Sequence, residues 1–134
     1  MVEKIKDIYS SEKLKGDDSL VIWYNKVIEK RADELTVPDV ARCIRQNLFL
    51  DAAYEMLLVY LLQNPYEGDL YGGELMEKAS EVDDEYIARH KKTITEIIQN
   101  AREFVSAYPW ECEEDKTEYI ASIEKLENAM TKIM

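Results

Sequence analysis

Apolar residues recur along most of this chain at intervals of three and four, the period of an α-helix with one buried face. No segment keeps the strict alternation of a half-buried strand. The first segment, Met1 to Lys15, is charged and weakly amphipathic and predicts a short helix over Val2, Ile5, Ile8 and Tyr9. Gly16-Asp17-Asp18-Ser19 stops it and supplies N-cap residues for the next helix. That helix is expected from Leu20 to about Arg31, where Leu20, Trp23, Tyr24, Val27 and Ile28 fall on one side.

Thr36 then offers a cap, with Asp39 three residues on, placed to bond back to the cap and to face the helix dipole. Pro38 sits in the first turn, where its missing N–H costs nothing. The helix that follows is expected to bury Val40, Cys43 and Ile44 and to end near Asn47. After the apolar connection Leu48-Phe49-Leu50, Asp51 is expected to cap a helix from Ala52 to Gln63. Its apolar residues, Ala53, Met56, Leu57, Val59, Tyr60, Leu61 and Leu62, surround the axis, the mark of a central helix.

Asn64-Pro65 ends that helix. Gly68, Gly72 and Gly73 predict a turn, then a short helix from Gly73 to about Lys78. Asp83 or Asp84 starts what reads as the longest helix, to about Tyr108. Its stripe is Ile87, Ile94, Ile98, Ala101, Val105 and Tyr108, widened by Ile97 and Phe104. Pro109 stops it. A last helix turns Tyr119, Ile123, Leu126 and Met130 inward. The sum is an all-α bundle of about six or seven helices, expected to form a single domain over 1–134.

The charge narrows the class of partner. The chain carries net -11 with a pI near 4.6, which suits neither nucleic acid nor an anionic membrane and favours a basic protein. The charge is polarised: residues 1–50 hold nine acids and nine bases, residues 51–100 eleven and four, residues 101–134 eight and four. No run is long and apolar enough to be a leader or a membrane span, so a cytoplasmic protein is expected.

Catalytic and metal signatures do not occur. Cys43 and Cys112 stand alone, without disulfide or metal spacing, and read as two small semi-buried thiols. The one histidine, His90, lies beside Lys91 and Lys92, with no Glu-x-x-His partner. There is no His-Glu-x-x-His, no phosphate-binding glycine loop and no calcium-loop spacing in the acidic run Glu81 to Glu85. No enzyme activity, cofactor or metal is expected.

What stands out is a surface. From Asn64 to Glu85 eight acids, Glu67, Asp69, Glu74, Glu77, Glu81, Asp83, Asp84 and Glu85, face one base, Lys78. Tyr66, Tyr71 and Tyr86 are interleaved. Carboxylates speed the approach of a basic partner, and tyrosine gives contact area at low entropic cost. The same pattern also fits a solvated acidic face with inward-packed tyrosines. A second candidate is the loop Glu111 to Asp115 beside Trp110, where the indole is either a core plug or an anchor.

Several pieces in order carry a family resemblance. Glu34-Leu35-Thr36-Val37 with Asp39, Ile44-Arg45-Gln46, the Leu-rich helix, Asn64-Pro65 and Tyr71-Gly72-Gly73-Glu74-Leu75 together resemble the small helical immunity proteins of bacterial contact-dependent growth inhibition systems. The resemblance covers roughly residues 30–107, and Glu67-Gly68-Asp69 before the tyrosine-glycine turn departs from it. It implies a non-catalytic inhibitor that binds the C-terminal toxin domain of a cognate effector stoichiometrically. It also implies a toxin that is a nuclease with a basic cleft. The candidate toxin-binding residues are Tyr66, Glu67, Asp69, Tyr71, Glu74, Glu77, Glu81, Asp83, Asp84 and Glu85. The alternative is an acidic helical adaptor or regulatory protein that binds a basic cellular protein.

Overall fold

Eight α-helices and one 3₁₀ turn form in the computed structural model, which describes residues 3–133. They are α1 (Ile5–Tyr9), α2 (Ser19–Val27), the turn Ala32–Glu34, α3 (Val37–Arg45), α4 (Leu50–Gln63), α5 (Glu74–Ala79), α6 (Asp84–Arg89), α7 (Lys91–Phe104) and α8 (Glu113–Ile133). Among the described residues there is no strand, only an isolated antiparallel bridge between Lys4 and Arg31. The all-α expectation is the fold observed. The chain divides into two compact units, Met1–Met56 and Leu57–Met134.

In the first unit, α1 is shorter than the pattern suggested. It ends at Tyr9 because Ser10 turns left-handed at φ 53°. Ile5 is buried, Ile8 is exposed, and Val2 lies outside the described residues. Two backbone bonds, Ile5 N–H to Lys30 and Lys6 N–H to Ile28, tie α1 to the chain beyond α2. The segment before α2 is clipped by Asn25, whose amide bonds both backbone groups of Leu14. Asp18 caps α2 by accepting from Val21 N–H at 2.9 Å. That helix stops at Val27, short of Arg31, and Leu20 stays exposed.

The start of α3 is a reciprocal capping box. Asp39 N–H donates to Thr36 Oγ1 at 3.2 Å, and Thr36 N–H donates to Asp39 Oδ2 at 3.1 Å. Asp39 does more than cap. Its buried carboxylate also accepts from Trp23 Nε1 at 3.0 Å and pairs with Lys30 Nζ at 2.5 Å. The Arg42 guanidinium lies 4.9 Å over the Trp23 ring. Burial opposes the Asp39 charge, yet Lys30, Thr36 and Trp23 together hold its carboxyl below the ordinary value. Cys43, on the same helix, is wholly buried, and burial pushes its thiol up to about 12. Val40 is buried as expected, whereas Ile44 is only half-buried. At the junction to α4, Asn47 and Phe49 adopt positive φ, and the Phe49 ring packs against Tyr9 and Tyr24. The Tyr9 hydroxyl accepts from Ala52 N–H at 3.2 Å, serving one orphan donor of the first turn of α4.

In the second unit, α4 is not buried all round. Leu57, Leu58 and Leu61 are buried, but Val59 and Leu62 are exposed. The long helix expected from Asp83 to Tyr108 is two helices that break at His90 (φ −116°, ψ 23°). The stripe itself explains the break. Between Ile87 and Ile94, the positions that should continue it are His90 and Lys91, so no apolar burial holds the turn in register. His90 N–H is shared between the Tyr86 and Ile87 carbonyls, a tightened last turn. Further on, Ile94, Ile97, Ile98, Ala101 and Val105 are buried as expected, while Phe104 is 55% exposed. Tyr119, Ile123, Leu126 and Met130 of α8 are all buried, as their spacing required. The helices α5 and α6 pack on α8, and α6 on α7.

Candidate functional site

The segment from Asn64 to Gly73 is shaped by side chains that give it bonds and by neighbours that leave no room. Asn64 accepts from Tyr66 N–H, and Gly73 N–H donates to the Tyr66 carbonyl at 2.7 Å. Gly73 holds φ +87° as the N-cap of α5, and a Cβ there would sit 2.6 Å from the Tyr119 ring. Only glycine meets both demands.

Two of the ten candidate residues leave the surface at this point. Tyr66 is 8% exposed, donates its hydroxyl to the Ala101 carbonyl at 2.5 Å, and stacks on Tyr108 at 4.5 Å. Glu74 is 1% exposed, and its Oε1 accepts from Asp69 N–H at 2.9 Å and Leu70 N–H at 3.0 Å. The turn needs this carboxylate as its internal acceptor, so Glu74 is structural. A Glu74→Lys change would break the turn and is no probe of a binding face. Tyr86, also interleaved in the acidic run, is buried against the His90 ring at 4.4 Å.

The other eight stay accessible. Asp69, Tyr71, Glu81, Asp83, Asp84 and Glu85 are exposed, and Glu67 and Glu77 are half-buried. Asp83 also caps α6, accepting from Tyr86 N–H at 2.8 Å. Among the described residues, Glu77, Glu81, Asp84 and Glu85 pair with no cation. The contrast with Asp39 and Lys30 is plain.

Trp110 is a core plug. Its Nε1 donates to the Val105 carbonyl at 2.8 Å, and its ring packs 4.5 Å from Tyr108 and 5.1 Å from Tyr119. Tyr119 in turn donates to the Pro65 carbonyl at 2.5 Å. This aromatic cluster holds the start of α8 beside the Tyr71 turn and brings the two acidic candidates together. One hollow is lined by Tyr71, Gly72, Gly73, Glu77, Asp115 and Glu118, with Tyr119 and Ser122 beneath. A larger cleft next to it shares Tyr71, Gly72 and Asp115 and is walled by Leu70, Tyr108 and Trp110. Glu118 was not singled out from the sequence. Its signal was present: it follows Asp115 by three residues on a helix, hence on the same side. The Tyr71 hydroxyl is pushed up, first by burial, then by its hydrogen bond to Glu77 and by the charges of Glu77, Glu74 and Glu81.

Among the described residues no group of three or more His, Cys, Asp or Glu side chains is placed to hold a metal ion. No helix is long and apolar enough to cross a membrane. Cys43 is buried and Cys112 exposed, both as free thiols, so the shared semi-buried state expected of them is found at neither.

The fold and its surface thus define an all-helical protein whose distinctive chemistry is an acidic face with one exposed tyrosine, Tyr71. Residues 4–97 match the family described as CDI immunity proteins, that is, immunity proteins of contact-dependent growth inhibition, and the chain belongs to that family. The match takes in the N-terminal segment that the resemblance left out, and it ends at residue 97 rather than near 107. Tyr71 to Glu77 lie inside the matched residues, Asp115 and Glu118 outside them. No curated protein matches the chain.

Proposed function

We propose that this immunity protein neutralises the C-terminal toxin domain of its cognate growth-inhibition effector by forming a stoichiometric, non-catalytic complex in the cytoplasm. The toxin is a nuclease, and its basic surface meets the acidic face formed by Glu67, Asp69, Tyr71, Glu77, Glu81, Asp83, Asp84 and Glu85. The observation that carries this reading is the set of carboxylates at Glu77, Glu81, Asp84 and Glu85, which have no cationic partner among the described residues. Lys125 and Lys132 line the same cleft as Glu81 and Asp84 without pairing with them, and an excess of surface charge of one sign raises the encounter rate with an oppositely charged partner.

The test is co-expression with the C-terminal domain encoded directly upstream, scored by survival and by equimolar co-purification. Failure of the unaltered protein to protect would overturn the immunity reading. In the protein carrying Glu77→Lys and Glu81→Lys, both accessible positions, toxin association should slow by about tenfold at low salt. The helical content should not change. An unchanged association rate, with unchanged survival, would remove this face from the interface.

A further inference from the structure

Three features of the second unit meet at the start of α8: an exposed apolar tip, a cleft with aromatic walls and a small acidic hollow. Leu70 is 68% and Tyr71 47% exposed, although the rest of their turn is fixed by Glu74 and the glycines. Large apolar side chains held out on a rigid turn are candidates for contact area in a complex. The cleft behind them, about 180 Å³, has Leu70, Tyr71, Tyr108, Pro109 and Trp110 for walls. It shares Tyr71, Gly72 and Asp115 with the hollow of about 20 Å³ lined by Glu77, Asp115 and Glu118.

We infer that this double hollow is the seat of one lysine side chain projecting from the cognate toxin. The inference rests on the proposed meeting of the acidic face with the toxin and names the contact at its centre. Size and chemistry select lysine. The inner hollow has room for one water-sized group, which suits the compact ammonium and not the broad, planar guanidinium. The ammonium has three donors and no acceptor, and the acids Glu77, Asp115 and Glu118 are among the residues that line the hollow. The four-carbon stem needs apolar cover while its head stays solvated or paired, and the Leu70, Tyr71 and Trp110 walls give that cover. Membership of the immunity family implies a partner of the required kind, a protein rather than a small cation.

The experiment is lysine footprinting of the toxin domain by acetylation and mass spectrometry, free and in complex, alongside dissociation rates. One toxin lysine should be protected in the complex with the unaltered protein. In the complex with the Asp115→Asn and Glu118→Gln double variant it should become reactive, and dissociation should speed up about tenfold or more. Tyr71→Ala, which strips one wall and leaves the carboxylates, should speed dissociation with little change in association. A complex in which no lysine is protected, or in which protection survives the double variant, overturns the inference. The failure of the wider reading looks different. If the socket variants are silent but Glu81→Lys with Glu85→Lys, both exposed and outside the lining of either hollow, slows association, the face is right and the socket wrong. If both sets are silent, the face itself is wrong.

Discussion

The two units of this protein use the same residue type in opposite ways. Met1–Met56 contains eleven acids and nine bases, and Leu57–Met134 seventeen and eight. In the first unit Asp18, Glu29, Asp33, Glu34 and Asp39 turn to cations or backbone donors. Asp39 gathers Lys30, Trp23 and Thr36, Glu29 meets Lys4 and Lys6, and Arg31 meets Asp33 and Glu34. In the second, Glu74 is held inside a turn and Glu127 pairs with Arg102, while Glu81, Asp83, Asp84 and Glu85 face solvent. Net charge therefore locates the acidic half, but pairing decides which carboxylates are free to meet a partner. An exposed pair contributes little stability, since solvent screens it, whereas a buried carboxylate that loses its partners is costly.

The comparison can be broken by mutating carboxylates and measuring unfolding by denaturant. Asp39→Ala should cost about 2–3 kcal/mol, because it removes the shared acceptor of the Trp23 and Thr36 N–H groups and leaves the partly exposed Lys30 without its partner. A loss under about 1 kcal/mol would show that the buried pair is dispensable. The same residue sets an acid limit. Its folded carboxyl lies below the ordinary value of about 3.9. Its contribution is complete above that pH and is lost as pH falls through the lower, folded value. The unaltered protein should therefore weaken across that acid window, and the Asp39→Ala protein should weaken less there.

Glu74→Ala tests the exception in the second unit. Removing the acceptor of the Asp69 and Leu70 N–H groups should cost about 1–3 kcal/mol. It should also loosen the Tyr71 turn, which reads out as faster amide exchange at Asp69 and Leu70. The smallest effect belongs to Glu81→Gln. With no cation partner among the described residues, it should change stability by no more than about 0.5 kcal/mol. It should still slow toxin association measurably at low salt. A Glu81→Gln protein that loses as much stability as Glu74→Ala would end the distinction between structural and surface carboxylates.

Much of the local structure was legible in the residues because short-range rules wrote it. The Thr36–Asp39 box, the Asp18 and Asp83 caps, the Asn64-Pro65 stop and the inward face of α8 each depend on positions a few residues apart. Less was legible where a side chain had two equally good local fates. Val59, Leu62 and Phe104 fit an apolar stripe, yet they meet solvent because neighbours one position away already fill the core. The break at His90 left only a negative signal, the missing apolar step between Ile87 and Ile94. Glu74 read as one more surface acid, since nothing in Gly-Gly-Glu-Leu tells that its carboxylate bends back to Asp69 and Leu70.

The sequence by itself determined most of the helices and the acidic bias of the second half, because periodicity, capping and composition act over short distances along the chain, and the order of its motifs carried the resemblance to the family. Only the tertiary structure decided which carboxylates are spent internally and that Asp115 and Glu118 stand beside Tyr71. Those facts depend on residues more than forty positions apart meeting through the Tyr66, Tyr108, Trp110 and Tyr119 cluster, and side-chain packing of that range leaves no local pattern to read.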